Sequence, residues 1–144
     1  MDPINRKASV RWKGAAKGGA RLVTTESGVL KQAKFSLGIP LRNGSDTDPT
    51  ELIAAAHASS FSLALSNELG LSARVAGEIL TTATVTLEQL AAEWTITKVY
   101  LNVVARLPEV TQGDFIDATV RAKMRCLISR LLRANISMNA KLEK

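Results

Sequence analysis

The stretch from Asp48 to Gly70 constrains this chain more than any other. Asp48 can cap a helix, Pro49 suits its first position, and Glu51 stands three residues after the cap, as a capping box requires. The helix predicted from there runs from Pro49 to Leu69, with Gly70 as its stop. Its sequence, ELIAAAHASSFSLALSNEL, is apolar or small on nearly every side until Asn67. A helix without a polar face is surrounded by protein, so this one is expected to be the central buried helix of the fold. The apolar run 52–65 is interrupted by His57, Ser59, Ser60 and Ser62 and is too short to span a bilayer.

The flanking segments read as strands. Ala8–Lys13 alternates, GAAKGGA is a loop, Arg21–Thr25 is rich in β-formers, and Glu26–Gly28 is a turn. Val29–Leu37 supplies another short strand, and LRNGSDTDP, with Asn43-Gly44 inside it, is a loop. Beyond the helix, Ile79–Glu88 and Trp94–Leu107 hold a period of two, which predicts an antiparallel hairpin turning near Gln89–Glu93 and ended by Pro108. A second helix starts near Thr111–Asp114 with Phe115, Ile116, Ala118, Val120 and Ala122 on its apolar face. It breaks around Arg125–Cys126 into a short helix, CLISRLLR, and Ile136, Met138, Ala140 and Leu142 alternate in a last strand. The expected fold is α+β, with antiparallel sheets wrapped around the central helix. No linker or repeat divides the 144 residues, so a single domain spanning 1–144 is expected.

Composition narrows the function classes. Hydrophobic residues make up 46% and charged residues 22%, which excludes a disordered or fibrous chain. The opening MDPINRKASVRW has no apolar core, so no secretory signal is expected and the cytoplasm is the expected location. One cysteine excludes a disulfide within the chain and a cysteine-based zinc site, and no metal or cofactor is expected. The net charge of +6 is uneven: both ends are basic and the middle is acidic. No basic cluster is interleaved with aromatics, so a solvated basic surface explains the charge better than nucleic-acid binding does.

Three reactive side chains stand out. His57 lies on the buried helix, where a hydrogen-bonded core histidine is the commoner outcome. Ser60 follows one turn later on the same face, which permits a Ser–His pair, yet no acid to orient His57 is evident. Cys126 opens a short helix between Arg125 and Arg130, and a helix N-terminus and nearby cations both stabilise a thiolate. A buried, inert cysteine fits the same residues.

Taken together, DPTELIAAAHASSFSLALS, TTATVTLE, ITKVYLNVVARLP and AKMRCLISRLLRANISMNAKL resemble, in order and spacing, the OsmC/Ohr family of osmotically inducible and organic-hydroperoxide-resistance proteins. The resemblance covers nearly the whole chain. It implies an intertwined homodimer with sites at the subunit interface and thiol-dependent reduction of hydroperoxides. In that chemistry a peroxidatic thiolate becomes a sulfenic acid, a second cysteine condenses with it to a disulfide, and a dithiol reductant reopens it.

Carried over by position, the resemblance implies that Ser60 stands where the peroxidatic cysteine belongs and Thr50 where the motif's first glutamate belongs. Glu51 keeps the second glutamate, and Cys126 keeps the second cysteine. The arginine position falls near Pro40, with Arg42 as the nearest replacement. Glu51, His57 and Phe61 are the expected pocket residues. A hydroxyl is scarcely ionised at neutral pH and forms no counterpart of a sulfenic acid, so Ser60 cannot act as the peroxidatic group. The expectation is a homologue whose two-cysteine cycle is lost and whose interface pocket takes a small organic ligand. The alternative is residual hydroperoxide reduction through Cys126, drawing on a dithiol reductant. A third reading has the basic ends gripping an acidic partner or nucleic acid.

Overall fold

Alternating apolar residues and turn-forming side chains build two small sheets, each within its own compact unit. A computed structural model describes residues 1–14, 20–36, 46–70 and 77–143, and its contacts divide the chain into units Met1–Leu52 and Ile53–Lys144. Most of the GAAKGGA loop, Leu37, Pro40, Arg42 and Asn43-Gly44 lie outside the described residues.

In the first unit, β1 (Ala8–Lys13) pairs antiparallel with β2 (Ala20–Thr25), and β2 pairs antiparallel with β3 (Ala33–Lys34). Among its described residues, 29–36, the predicted strand Val29–Leu37 shrinks to these two, followed by a single parallel bridge between Phe35 and Thr47. Hydroxyls divert the backbone before it. Leu30 N donates to Thr25 Oγ1 at 3.1 Å, and Gln32 N, at a positive φ of 48°, donates to Thr24 Oγ1 at 2.9 Å. Such local side-chain bonds compete with a ladder.

The long helix α1 (Pro49–Glu68) starts as predicted, with Glu51 N donating to Asp48 Oδ1 at 2.9 Å. It ends at Gly70, whose φ of +64° is the left-handed conformation that a C-terminal glycine supplies. Within its residues in the second unit, burial follows one stripe, His57, Phe61 and Leu65, spaced four apart. The opposite face, including Ala56, Ser59, Leu63 and Asn67, is exposed. In the chain by itself the helix is therefore covered along one side and not all round. Its small side chains make the outer face featureless instead of polar.

The second sheet runs β4–β5–β6. β4 (Glu78–Leu90) and β5 (Glu93–Arg106) form the predicted antiparallel hairpin, with one irregularity at Thr86/Leu87. β6 (Asn135–Glu143) lies parallel to β5, so this sheet is mixed. A parallel neighbour needs a crossover, and the crossover is α2 (Gln112–Arg125) followed by α3 (Leu127–Leu131). Alternation gives Val99, Leu101, Val103 and Ala105 a buried face, in register with Ile136, Met138, Ala140 and Leu142. Thr111 caps α2, its Oγ1 accepting from Asp114 N at 3.1 Å. Phe115, Ala118, Thr119 and Ala122 are the buried side of α2. Ile116 and Val120, expected on that side, are more than half exposed. Phe115, Ala118 and Ala122 recur at three and four residues, whereas Ile116 and Val120 lie about 130° and 170° round the helix from the centre of that stripe.

Candidate functional site: a thiol set among hydroxyls

The break between α2 and α3 fixes the one cysteine. Cys126 N donates to Ala122 O at 2.8 Å, closing α2, and Cys126 O accepts from Arg130 N at 3.1 Å, opening α3. Its φ of −58° and ψ of 125° turn the chain between the two helices. The side chain is fully buried, and Sγ lies 3.3 Å from Ser60 Oγ on α1. The two positions that the family resemblance paired, 66 residues apart in sequence, are thus in direct contact within one chain.

Burial pushes the Cys126 thiol up, but hydrogen bonding wins. The hydroxyls of Ser60 and Ser129 act on Sγ, and so do the backbone N–H groups of Ser129 and Ile128 in the first turn of α3. The net result is a pKa below the ordinary thiol value. The sequence pointed to a helix N-terminus and to cations as the stabilising groups, and the N–H groups of Ile128 and Ser129 belong to the first. In the structure Arg125 and Arg130 are exposed, and hydrogen bonds lower the thiol's pKa against the opposing effect of burial.

His57 is fully buried and bonds through Nε2 to Ser129 Oγ at 2.8 Å. Burial lowers its pKa, which keeps the ring neutral at pH 7. Its Nδ1 has no partner among the described residues. The histidine is thus a core residue that also touches the serine beside the thiol. It is not paired with Ser60, which faces Cys126. Ser129 escaped the sequence reading, although its position one helical turn after Cys126 was the available signal.

Outside the thiol, Ser60 helps line an open depression of about 340 Å³ with Leu63, Ala64 and Asn67 of α1, Leu127, and the pair Glu68 and Arg125. Glu68 is a further residue the sequence reading missed. Its signal was its place as the next charged residue after Glu51 along α1. Its Oε2 accepts from Arg121 Nε at 2.8 Å and its Oε1 from Arg125 Nη1 at 3.0 Å. The hydrogen bond from Arg121 comes first among the causes that hold its carboxyl below the usual range, and the charges of both arginines add to it. Phe61, expected in a pocket wall, is instead packed into the core with Leu65, Val99 and Leu101.

Thr50 and Glu51 belong to the first unit and stand in the first turn of α1. Glu51 Oε1 accepts from Thr47 Oγ1 at 2.9 Å, so its side chain is engaged locally. Arg42 lies outside the described residues. Among the described residues no three His, Cys, Asp or Glu side chains come together as metal ligands, and no helix is long and apolar enough to cross a membrane.

Comparison with known proteins agrees with this architecture. Residues 42–141 match the model of the family described as OsmC-like protein. The chain is 36% identical over 140 residues to Peroxiredoxin OsmC of Escherichia coli, covering 97% of this chain and 98% of that protein. Its fold is similar to that of an OsmC-like protein of unknown function from Vibrio cholerae, with a TM-score of 0.77 at 18% identity, covering 96% and 99% of the two chains. It is also similar to an organic hydroperoxide resistance protein from Elizabethkingia anophelis, with a TM-score of 0.71 at 22% identity over 99% and 98%. A matched segment that takes in α1, both long strands and the Cys126 turn, with a near full-length relative at this identity, establishes that the chain belongs to the OsmC-like family.

Proposed function

We propose that this chain is an OsmC-like protein of the peroxide and osmotic stress response that has lost the two-cysteine hydroperoxide cycle and binds a small organic ligand as a homodimer. The single observation that carries the reading is the 3.3 Å contact between Ser60 Oγ and Cys126 Sγ. In the two-cysteine cycle, one thiolate attacks the peroxide, the O–O bond breaks, an alcohol or water leaves, and the sulfur becomes a sulfenic acid. A second thiolate then displaces water from it, and two sulfurs end joined. With oxygen at position 60 that residue cannot take the first oxidation, and the joining has no second sulfur to work with. Ser60 is left as a hydrogen-bonding group between the thiol and the depression, whose apolar wall of Leu63, Ala64 and Leu127 suits a small amphipathic molecule. The exposed Leu63, Ile116, Val120, Met124, Leu127 and Leu131 give the homodimer apolar surface to cover. A single domain over 1–144 and a cytoplasmic location belong to the same reading.

One observation favours a second reading, in which Cys126 alone reduces a peroxide. Its thiol is shifted toward the thiolate in spite of full burial, and the thiolate is the form that attacks. The products are the alcohol and a sulfenic acid on Cys126, with an external dithiol returning the electrons.

The deciding measurement is consumption of cumene hydroperoxide with a dithiol, in the unaltered protein and in Cys126→Ala. The first reading expects no turnover above the dithiol background in either. Turnover that survives Cys126→Ala overturns both readings, because no thiol remains. Turnover lost in Cys126→Ala, with dimedone labelling of Cys126 after a stoichiometric peroxide pulse, replaces the first reading by the second.

A further inference from the structure

His57 has no solvent contact, and neither reading of the thiol gives it a task. Its Nε2 is hydrogen-bonded to Ser129 Oγ at 2.8 Å, which joins α1 to α3. Helix α3 has little else to hold it. None of its five residues is buried, and Leu127 and Leu131 are 70% and 73% exposed. Ile128 and the following Leu132 are only partly buried against the core. Cys126, with its ψ of 125°, already turns the chain between α2 and α3, so this one residue can serve as a hinge.

We propose that His57 is an acid-sensitive latch: while its ring is neutral the Nε2–Ser129 bond holds α3 on α1, and uptake of a proton by His57 releases α3 together with the turn that buries Cys126. A neutral ring donating from Nε2 leaves Nδ1 bare, so no buried donor is unsatisfied. Protonation puts an N–H on Nδ1, which is buried with no partner among the described residues. A buried donor without an acceptor and a buried charge without a counter-ion are both unfavourable, and water satisfies both once α3 is released. No described carboxylate is placed to offset the charge. Glu68 of α1 lies about three turns further on and is held by Arg121 and Arg125 of α2. Asp114 and Asp117 are exposed near the other end of α2, and Arg130 of α3 is exposed and of the wrong sign. Val99, Leu101 and Val103 of β5 are apolar, and the Cys126 thiol faces Ser60 and grows more neutral in acid. Burial accordingly lowers the pKa of His57. A docked-state pKa below the free value means that the released state binds more protons in acid. Docking is therefore full above the free imidazole pKa of about 6.5 and weakens as pH falls below it.

The test is amide hydrogen exchange of the full chain from about pH 7.5 to about pH 5, expressed as protection with intrinsic rates divided out. Arg130 N and Leu132 N, which donate to Cys126 O and Ile128 O, report the release of α3. Their protection is expected to fall by up to about thirtyfold, the ratio for an imidazole of pKa about 6.5 that only the released state protonates. At every pH they are expected to stay well below Leu101 and Val103 of the central strand β5, because release leaves the core closed. His57→Gln takes up no proton, and its profile is expected to be flat; it keeps Cys126, so a dependence arising from the thiol would persist in it. A fall of less than about threefold in the unaltered protein overturns the latch, and so does an equal fall in His57→Gln. Protection at Arg130 and Leu132 matching that of Leu101 and Val103 also overturns it, since the opening is then global unfolding. Should His57→Gln fail to fold by circular dichroism, Ser129→Ala takes its place. It is expected to lower the protection of Arg130 and Leu132 at about pH 7.5, and unchanged protection there overturns the latch equally. No peroxide enters the test, so the latch and the readings of the thiol fail separately.

Discussion

The two compact units of this chain handle apolar surface in different ways. In Ile53–Lys144 three helices and a three-stranded sheet close on Phe61, Leu65, Leu101 and Phe115, all essentially without solvent contact. In Met1–Leu52 every residue of β1 is exposed, and Val23 is the only hydrophobic residue there, among those described, that is buried. The first unit relies instead on surface stacking. The Arg21 guanidinium lies 4.2 Å from the centre of the Trp12 ring, whose edge meets Phe35 at 6.3 Å between centroids. Cation–π and aromatic pairs contribute on the order of 0.5–1.5 kcal/mol each, less than a single large core side chain. The thiol cluster sits in the unit with the core, where a rigid wall can hold hydroxyls at fixed distances from sulfur.

One tryptophan in each unit, Trp12 and Trp94, makes the contrast measurable. In a Trp12→Phe background, Phe61→Ala is expected to lower the denaturant stability reported by Trp94 by about 3–5 kcal/mol, the usual result of emptying an aromatic site in a core. Val23→Ala in a Trp94→Phe background removes two carbons from the first unit and is expected to cost about 1.5 kcal/mol as reported by Trp12. A larger loss for Val23→Ala would show that the first unit has a core of its own, and the contrast would fall.

Glycines sharpen the same contrast at a smaller scale. A Cβ on Gly77 would lie 2.5 Å from Arg106 O and 2.7 Å from Leu107 Cδ2, so the second unit needs this glycine for space. Gly28 has nothing within 4 Å but a φ of +79°, so the first unit needs it for backbone freedom. Gly77→Ala, which pushes on a carbonyl that cannot swing away, is expected to cost about 1–3 kcal/mol. Gly28→Ala meets only the left-handed penalty of about 1–2 kcal/mol. Paired thermal melts of the two variants check the order, and Gly28→Ala melting well below Gly77→Ala would reverse it.

What the sequence disclosed follows the same physical division between local and long-range causes. The capping of α1 by Asp48, its stop at Gly70 and the alternation of Val99 to Ala105 are decided by neighbours in the chain, and all were legible. The parallel pairing of β5 with β6 was not, because a period of two marks a strand without saying which partner it meets or in which direction. At the site, the positions of Ser60 and Cys126 were legible through the family resemblance. The approach of Ser129 to His57 depends on how α3 sets against α1, which no local pattern encodes. A helix N-terminus and cations were the visible candidates for stabilising the thiol, but the charged side chains reach for solvent and for Glu68, whereas serines can stay inside.

The turn of the long hairpin is the last case, and it combines both lessons. Leu90 pairs with Glu93, so the loop is only Ala91-Ala92, and both alanines sit at positive φ, 49° and 69°. Two left-handed residues in a two-residue loop are the type I′ geometry, which normally calls for Asn-Gly. Since alanine gives no turn signal, the strands' own pairing must impose the strain, and the second unit can bear it because thirteen residues of β4 pair along β5. Replacing the pair by Ala91→Asn with Ala92→Gly is expected to relieve that strain and stabilise the protein by about 1 kcal/mol. The gain belongs in the transition followed by the adjacent Trp94, with the Trp12 signal moving less. An equal shift in both signals would mean that the two units unfold as one body, and the difference in their packing would then have no thermodynamic counterpart.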